Sequence, residues 1–342
     1  MTTPVAVLAG VLGAALLGLG TYDTLRTTLA PAAGGGPVTR RLSSALWRAA
    51  RRSSRPDGAL LASAGTVILL LTVAVWVVLL WAGWTLVFAA DSDGIVSRSG
   101  SPATPVDLVY FTGFTLFTLG VGDFVPATAG WKLITPLVSL HGLFSVTLAI
   151  TYLLPVMSAA VERRRQAAAV WGMGGNAVAI VQTAWYHGSL DSLQSDLKAL
   201  TPALLTTVER HPTYPVLHYF HTTSPRTAFP ARVAALDEAV TVLLCAVHPD
   251  ARPALGALLP IRRAVDDLLA TAGRAGRPDR EDVPPVPDLS PLAQAGIPLL
   301  DREHVSEAYD RSAPRRRRLH EFVAQDGWPW SAVVDGPDAD TG

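Results

Sequence analysis

Asp107-Leu108-Val109-Tyr110-Phe111-Thr112-Gly113-Phe114-Thr115-Leu116-Phe117-Thr118-Leu119-Gly120-Val121-Gly122-Asp123 lies between two long apolar runs. Residues 59–90 hold no Asp, Glu, Lys or Arg, and residues 133–161 hold none either, with one histidine, His141. A helix needs about 20 apolar residues to cross a bilayer, so both flanks read as membrane helices. The quoted stretch is too short and too rich in glycine to cross. Non-helical backbone at membrane depth is tolerated only where it lines a water-filled path or is buried in protein. The pattern therefore predicts a re-entrant half-helix followed by a loop, and with it an all-α membrane helix bundle.

Outward from this centre, residues 1–22 are uncharged and Val5 to Gly20 is almost wholly apolar. No basic residue precedes that run, unlike a secretory leader, so residues 1–22 are expected to form a first transmembrane helix. Gly10, Gly13, Gly18 and Gly20 suit close helix packing in lipid. Of the 342 residues, 49% are hydrophobic and 16% charged, against about 25% charged in soluble chains. Most of the charge falls after residue 160. The net charge is zero, so nothing global points to nucleic acid. A single cysteine, Cys245, excludes an intramolecular disulfide framework.

Basic residues set the expected orientation. The stretch 23–57 carries Arg26, Arg40, Arg41, Arg48, Arg51, Arg52 and Arg55, whereas 91–106 carries Arg98 alone. Residues 23–58 are thus expected as a basic cytoplasmic loop and 59–161 as helix, loop and second helix opening outward. An α-helical cytoplasmic domain is expected over 162–332, and a flexible tail over 333–342. Within that domain, apolar residues at three-to-four spacing predict helices near 177–187, 190–209, 229–247, 252–272, 289–300 and 302–326. The run 273–287 reads as a linker.

A cation enters a narrow pore only if ligands replace its water shell, and rings of backbone carbonyls from four loops do this for potassium. Carbonyls align only with backbone angles open chiefly to glycine. Gly120 and Gly122 alternate as that requires. The candidate ion ligands are Thr118, Leu119, Gly120 and Val121, with a hydroxyl ring from Thr118 at the inner end. Asp123 stands at the outer mouth, where a carboxylate can anchor the loop and attract cations. A glycine-rich turn between two helices is the plainer alternative. The preceding half-helix, the flanking spans and the outward side all argue against it.

From Tyr110-Phe111 through Thr118-Leu119-Gly120-Val121-Gly122-Asp123-Phe124-Val125-Pro126 the sequence resembles the pore signature of the potassium channel superfamily, T-[V/I/L]-G-[Y/F/L]-G-D. It is most similar to bacterial channels with one pore loop between two helices, a module shared with two-pore-domain potassium channels. The resemblance covers residues 59–161 and does not reach the C-terminal half. It implies a homotetramer around one ion path, with K+ as the permeant ion and no other cofactor. Tyr110 and Phe111 take the positions of an aromatic cuff in the pore helix. Gly142 stands where that family often has a gating hinge, although packing alone also explains a glycine there. One position departs from the pattern. Val121 replaces the usual aromatic residue or leucine, and valine cannot donate the hydrogen bond with which a tyrosine tethers the filter. Potassium selectivity therefore rests on the resemblance.

Weaker signals each have a plain alternative. Arginines 40–55, interleaved with Leu42, Leu46 and Trp47, fit an interfacial helix on anionic lipid or simply the positive-inside rule. Beside Gly142, His141 is either a pH sensor or a hydrogen-bonding tie to a neighbouring helix. Trp171-Gly172-Met173-Gly174-Gly175-Asn176 lacks the preceding strand of a dinucleotide loop and is expected as a flexible connection. His211, His218 and His221 are expected to be exposed or packed rather than zinc ligands, since Pro212 and Pro215 interrupt them. Arg315 to Arg318 is expected as a solvated or lipid-facing helix surface.

Taken together, the expectation is a cation channel of the plasma membrane, not an enzyme. Its filter faces outside, its C-terminal domain is cytoplasmic, and its partners are membrane lipids and further copies of itself. The ligand of the cytoplasmic domain is not legible. The rival is a non-conducting, membrane-anchored regulatory or sensor protein with a degenerate filter, which Val121 alone favours.

Overall fold

The computed structural model describes residues 3–30, 34–53, 58–91, 93–272 and 282–335. Helices dominate among them, and the two strands have three residues each. The fold is an all-α membrane helix bundle. Three helices are long and apolar enough to cross a membrane: α1 (Thr3–Leu29), α3 (Ala59–Ala89) and α5 (Ala129–Gly172). The chain divides into two compact units, residues 1–46 with 66–156 and residues 47–65 with 157–342.

In the first unit, α1 and α3 approach closely. A Cβ on Gly13 would sit 2.7 Å from the Gly83 carbonyl oxygen, and one on Gly20 would sit 3.1 Å from Leu79. Gly18 faces open space instead. The first helix does not stop at Tyr22 but runs to Leu29. Asp23, charged and fully buried, is accommodated because its carboxylate accepts four donors. These are Val38 N–H at 2.7 Å, Thr39 N–H at 3.2 Å, the Thr39 hydroxyl at 2.5 Å and Trp76 Nε1 at 2.9 Å. Three of those donors belong to the first turn of α2 (Pro37–Ser53), so the expected basic loop is largely helix, started by a carboxylate from another helix. Arg40, Arg41, Arg48, Arg51 and Arg52 of α2 are exposed.

Between α3 and α5 lie strand β1 (Ile95–Ser97), helix α4 (Pro105–Leu116) and strand β2 (Phe124–Pro126). The strands pair antiparallel, with Ile95 opposite Pro126 and Ser97 opposite Phe124. Helix α5 contains Pro136 and Pro155, each of which removes a backbone donor and marks a place to bend. Charge at Glu162 does not end it, because Arg165 and Gln166 fold back onto the Glu162 carboxylate at 2.7 and 2.9 Å.

In the second unit, α6 (Ala177–Ala184), α7 (Asp191–Thr213), α9 (Leu255–Ala272), α10 (Ser290–Gln294), α11 (Arg302–Gln325) and α12 (Ser331–Val334) accompany α8 (Phe229–Cys245). Nearly every residue of α8 is buried, its Arg232, Asp237 and Glu238 included, so this central helix must find partners for its charges inside the unit. Four of the expectations for this unit need correction. Pro212 does not break α7, which runs to Thr213. Trp171 to Asn176 is not a flexible connection, since Trp171 and Gly172 end α5 and Met173 to Asn176 form a tight turn. A Cβ on Gly174 would collide with the backbone of Ala179 and Ile180, and the Asn176 side chain caps α6 through Ala179 N–H at 2.8 Å. The basic run 315–318 is not a solvated surface throughout. Arg315 reaches Asp237 at 2.7 Å and Asp266 at 2.6 Å, and buried Arg316 reaches Glu238 at 2.8 Å. Two carboxylates buried on α8 draw these guanidinium groups inward. Finally, the expected linker and tail lie partly outside the described residues, at 273–281 and 336–342. Pro284 and Pro285 of that linker are pinned by Arg316 through their carbonyls, at 2.9 and 2.8 Å, and the tail begins within α12.

Candidate functional site

Helix α4 is built to stop where the candidate ion ligands begin. Pro105 opens it, and Thr104 with Asp107 forms a reciprocal capping box. At its far end the N–H groups of Phe117, Thr118 and Leu119 turn back onto the carbonyls of Gly113, Thr115 and Phe114, at 3.0, 3.2 and 2.8 Å. The helix thus ends against Thr118, and its terminal carbonyls present partial negative charge there.

Beyond that point the backbone alternates. Thr118, Gly120 and Gly122 have φ of 58°, 62° and 81°, while Leu119 and Val121 lie outside the left-handed region. The two glycines meet this requirement freely. Thr118 does not, since a β-branched residue with positive φ is an outlier that costs on the order of 1–3 kcal/mol. Among the described residues, no hydrogen bond reaches the carbonyls of Thr118, Leu119, Gly120 or Val121. Leu119 is 70% exposed and Val121 46% exposed.

Tyr110 and Phe111 stand next to each other in α4 but have different surroundings. Phe111 is buried between Phe88 and Phe114, with ring centroids at 5.1 and 5.2 Å. Tyr110 is 41% exposed, and its hydroxyl donates to Asp123 Oδ2 at 3.2 Å. The Asp123 carboxylate is therefore held by an aromatic side chain of the preceding helix.

The end of this segment at Gly122 and Asp123 has a second anchor that sequence reasoning passed over. Arg98 Nε donates to the Gly122 carbonyl at 2.7 Å, and the Arg98 N–H donates to the Asp123 carbonyl at 3.2 Å. In sequence, Arg98 is the one basic residue between 91 and 106 and had served only to orient the chain. Its isolation there was the available signal.

Behind α4, Ser139 of α5 donates to the Thr115 carbonyl at 2.8 Å. A Cβ on Gly142 would collide with the Leu116 carbonyl oxygen, so packing needs this glycine. His141 has both ring nitrogens engaged, Nε2 with the Thr21 hydroxyl at 3.0 Å and Nδ1 with Trp84 Nε1 at 3.3 Å. An indole N–H can only donate, which leaves Nδ1 as acceptor and the proton on Nε2. The ring is a neutral tie between α1, α3 and α5.

In the second unit, His218 and His221 pack around Trp47, with ring centroids at 6.1 and 6.5 Å. His221 also stacks on Trp328 at 5.2 Å and approaches Asp326 at 3.4 Å. The side chain of His211 lies outside the described residues. Among the described residues no three metal-ligating side chains come together. A cleft of about 400 Å3 is lined by Asn176, Gln182, Glu238 and Asp288 among others. Asn176 is already engaged by α6, Glu238 by Arg316, and Asp288 by Ser290. Burial pushes the Glu238 carboxyl up from its ordinary value, and Arg316 opposes that shift.

Residues 65–159 match the model of a protein family described as "Ion channel". An uncharacterized membrane protein of Bacillus subtilis, YdjJ, is 34% identical over 327 residues, spanning 94% of this chain and 95% of that protein. No solved structure matches the chain.

Proposed function

The chain belongs to the ion-channel family, and from that premise we propose that it is a potassium-selective channel assembled from four copies. Thr118 to Val121 of each copy would line one ion path. The observation that carries this reading is the alternation of left-handed backbone at Thr118, Gly120 and Gly122 beside four carbonyls that no hydrogen bond reaches among the described residues. One segment cannot surround an ion, but a ring of four can replace its hydration shell. The exposed Leu119 and Val121 side chains fit a face that meets other copies.

In this reading Tyr110 and Phe111 brace the filter and Asp123 attracts cations to its outer mouth. Conduction is passive, with K+ the permeant ion and no organic cofactor. The filter opens outward from a plasma membrane whose cytoplasmic side carries the arginines of α2 and the second unit. A bend of α5 at Gly142 would part it from Leu116 and so act on the inner end of the filter. His141, tied to α1 and α3, would hold the neighbouring turn still during that bend.

The test is K+ flux into liposomes holding the full chain. Permeation is expected, and Gly120→Asp is expected to abolish it. Continued flux through the variant would exclude Thr118 to Asp123 as the ion path. Val121 supplies the one observation for a second reading, a non-conducting regulatory protein, because valine cannot tether the filter as a tyrosine would. Unitary currents from the purified protein would exclude that alternative, and their absence would favour it.

A further inference from the structure

We propose that Arg98 is a positioning residue that closes the outer end of the ion path and supplies the tether Val121 cannot. The inference rests on the filter reading above and goes beyond it.

A filter holds its geometry only if its strands are tied to something stiff. At the inner end that tie is α4, through the N–H groups of Thr118 and Leu119. Midway, the Val121 side chain offers no donor. At the outer end Arg98 binds Gly122 through Nε at 2.7 Å and Asp123 through its own N–H at 3.2 Å. The side-chain bond is charge-assisted, roughly twice as strong as a neutral one. Arg98 is itself held, since it directly follows strand β1, whose Ser97 pairs with Phe124 immediately beyond the filter. Gly122 makes this approach possible. A Cβ there would lie 3.1 Å from an Arg98 Nη atom, and the φ of 81° disfavours any side chain.

A second consequence follows from the same bond. A carbonyl accepting from a guanidinium is not free to face a cation. The carbonyls open to an ion therefore run from Thr118 to Val121 and end there, while Gly122 belongs to the outer wall. Arg98 would fix both the length of the coordinating column and its stiffness, and stiffness underlies discrimination between ions of different size.

Reversal potentials of the full chain in planar bilayers, with K+ on one side and Na+ on the other, test this. Arg98→Met keeps the length of the side chain but has no donor. It is expected to lower the K+-over-Na+ permeability ratio about tenfold, the scale set by losing one charge-assisted bond, with little change in thermal stability. Arg98→Lys, which retains a cationic donor, is expected to keep most of the ratio. If Arg98→Met does not assemble, Arg98→Gln keeps an uncharged amide NH2 donor and is expected to fall between the two. A selective unaltered channel whose Met or Gln variant stays equally selective overturns the Arg98 assignment alone. An unaltered channel that passes K+ and Na+ equally overturns the filter reading beneath it.

Discussion

Gly142, within the long helix α5, lies against the main-chain carbonyl of Leu116, the last residue of α4, so closely that no side chain fits between them. Gly142→Ala must push the two helices apart, and overpacking of this kind costs about 1–3 kcal/mol. The thermal midpoint of the detergent-solubilised protein should fall, and conduction should fall with it. Gly18→Ala is the control. That position faces open space in α1, and the change should be neutral or slightly stabilising.

Asp23 should prove necessary for the start of α2. Asp23→Ala removes the acceptor of the Val38 and Thr39 N–H groups and of the Trp76 indole. Leaving buried donors unsatisfied costs about 1–3 kcal/mol. Hydrogen exchange at Val38 and Thr39 should accelerate in the variant, and unchanged exchange would show that α2 does not depend on this cap.

The buried pair Glu238–Arg316 should be costly to break and cheaper to remove entirely. Arg316→Met strands a buried carboxylate, a loss of about 3–5 kcal/mol, whereas Glu238→Gln with Arg316→Met should recover much of it. The pH dependence has a defined sign. Burial raises the Glu238 carboxyl above 4.5, and Arg316 is the largest opposing influence. Without Arg316 the folded state holds the proton more tightly than the unfolded chain does. Stability of Arg316→Met is then greatest in acid, below 4.5, and is lost as pH rises through the folded-state value. Thermal midpoints across pH would decide this, and an Arg316→Met profile parallel to the unaltered one would contradict it.

His218 should make the protein acid-sensitive. Burial holds its pKa below the ordinary 6.5, and Arg163 and Arg51 add to that, while Asp326 pulls the other way. The neutral ring belongs to the folded state. Its contribution is complete above 6.5 and is lost as pH falls below that value towards the folded-state one. From roughly pH 7.5 to 5.5, the range in which histidine titrates, the thermal midpoint should drop. The drop should be smaller in His218→Gln, and equal drops would remove His218 as a cause.

The spans, the re-entrant segment and most helices beyond residue 166 are legible in sequence because each signal is local. An apolar run has a length, glycines have a spacing, and amphipathic helices have a period. What escapes are partnerships made at a distance. Arg98 meets a residue 24 positions away, and Arg315 and Arg316 meet carboxylates 78 positions away. A run of arginines reads the same whether its partner is water or a buried acid. The left-handed backbone of Thr118 is hidden for another reason. Alternating glycines announce such backbone at Gly120 and Gly122, but threonine gives no sign that it is forced into the same conformation.

The candidate ion ligands are fastened at both ends within a single copy, by α4 before Thr118 and by Arg98 and the β1–β2 pair after Val121. In the proposed tetramer each chain would arrive with its quarter of the ring already shaped. Assembly would then be the docking of finished surfaces rather than folding upon contact, and little ordering entropy would be charged against association. Loosening either fastening would shift that entropy onto the encounter, so such variants should assemble more slowly as well as select less well.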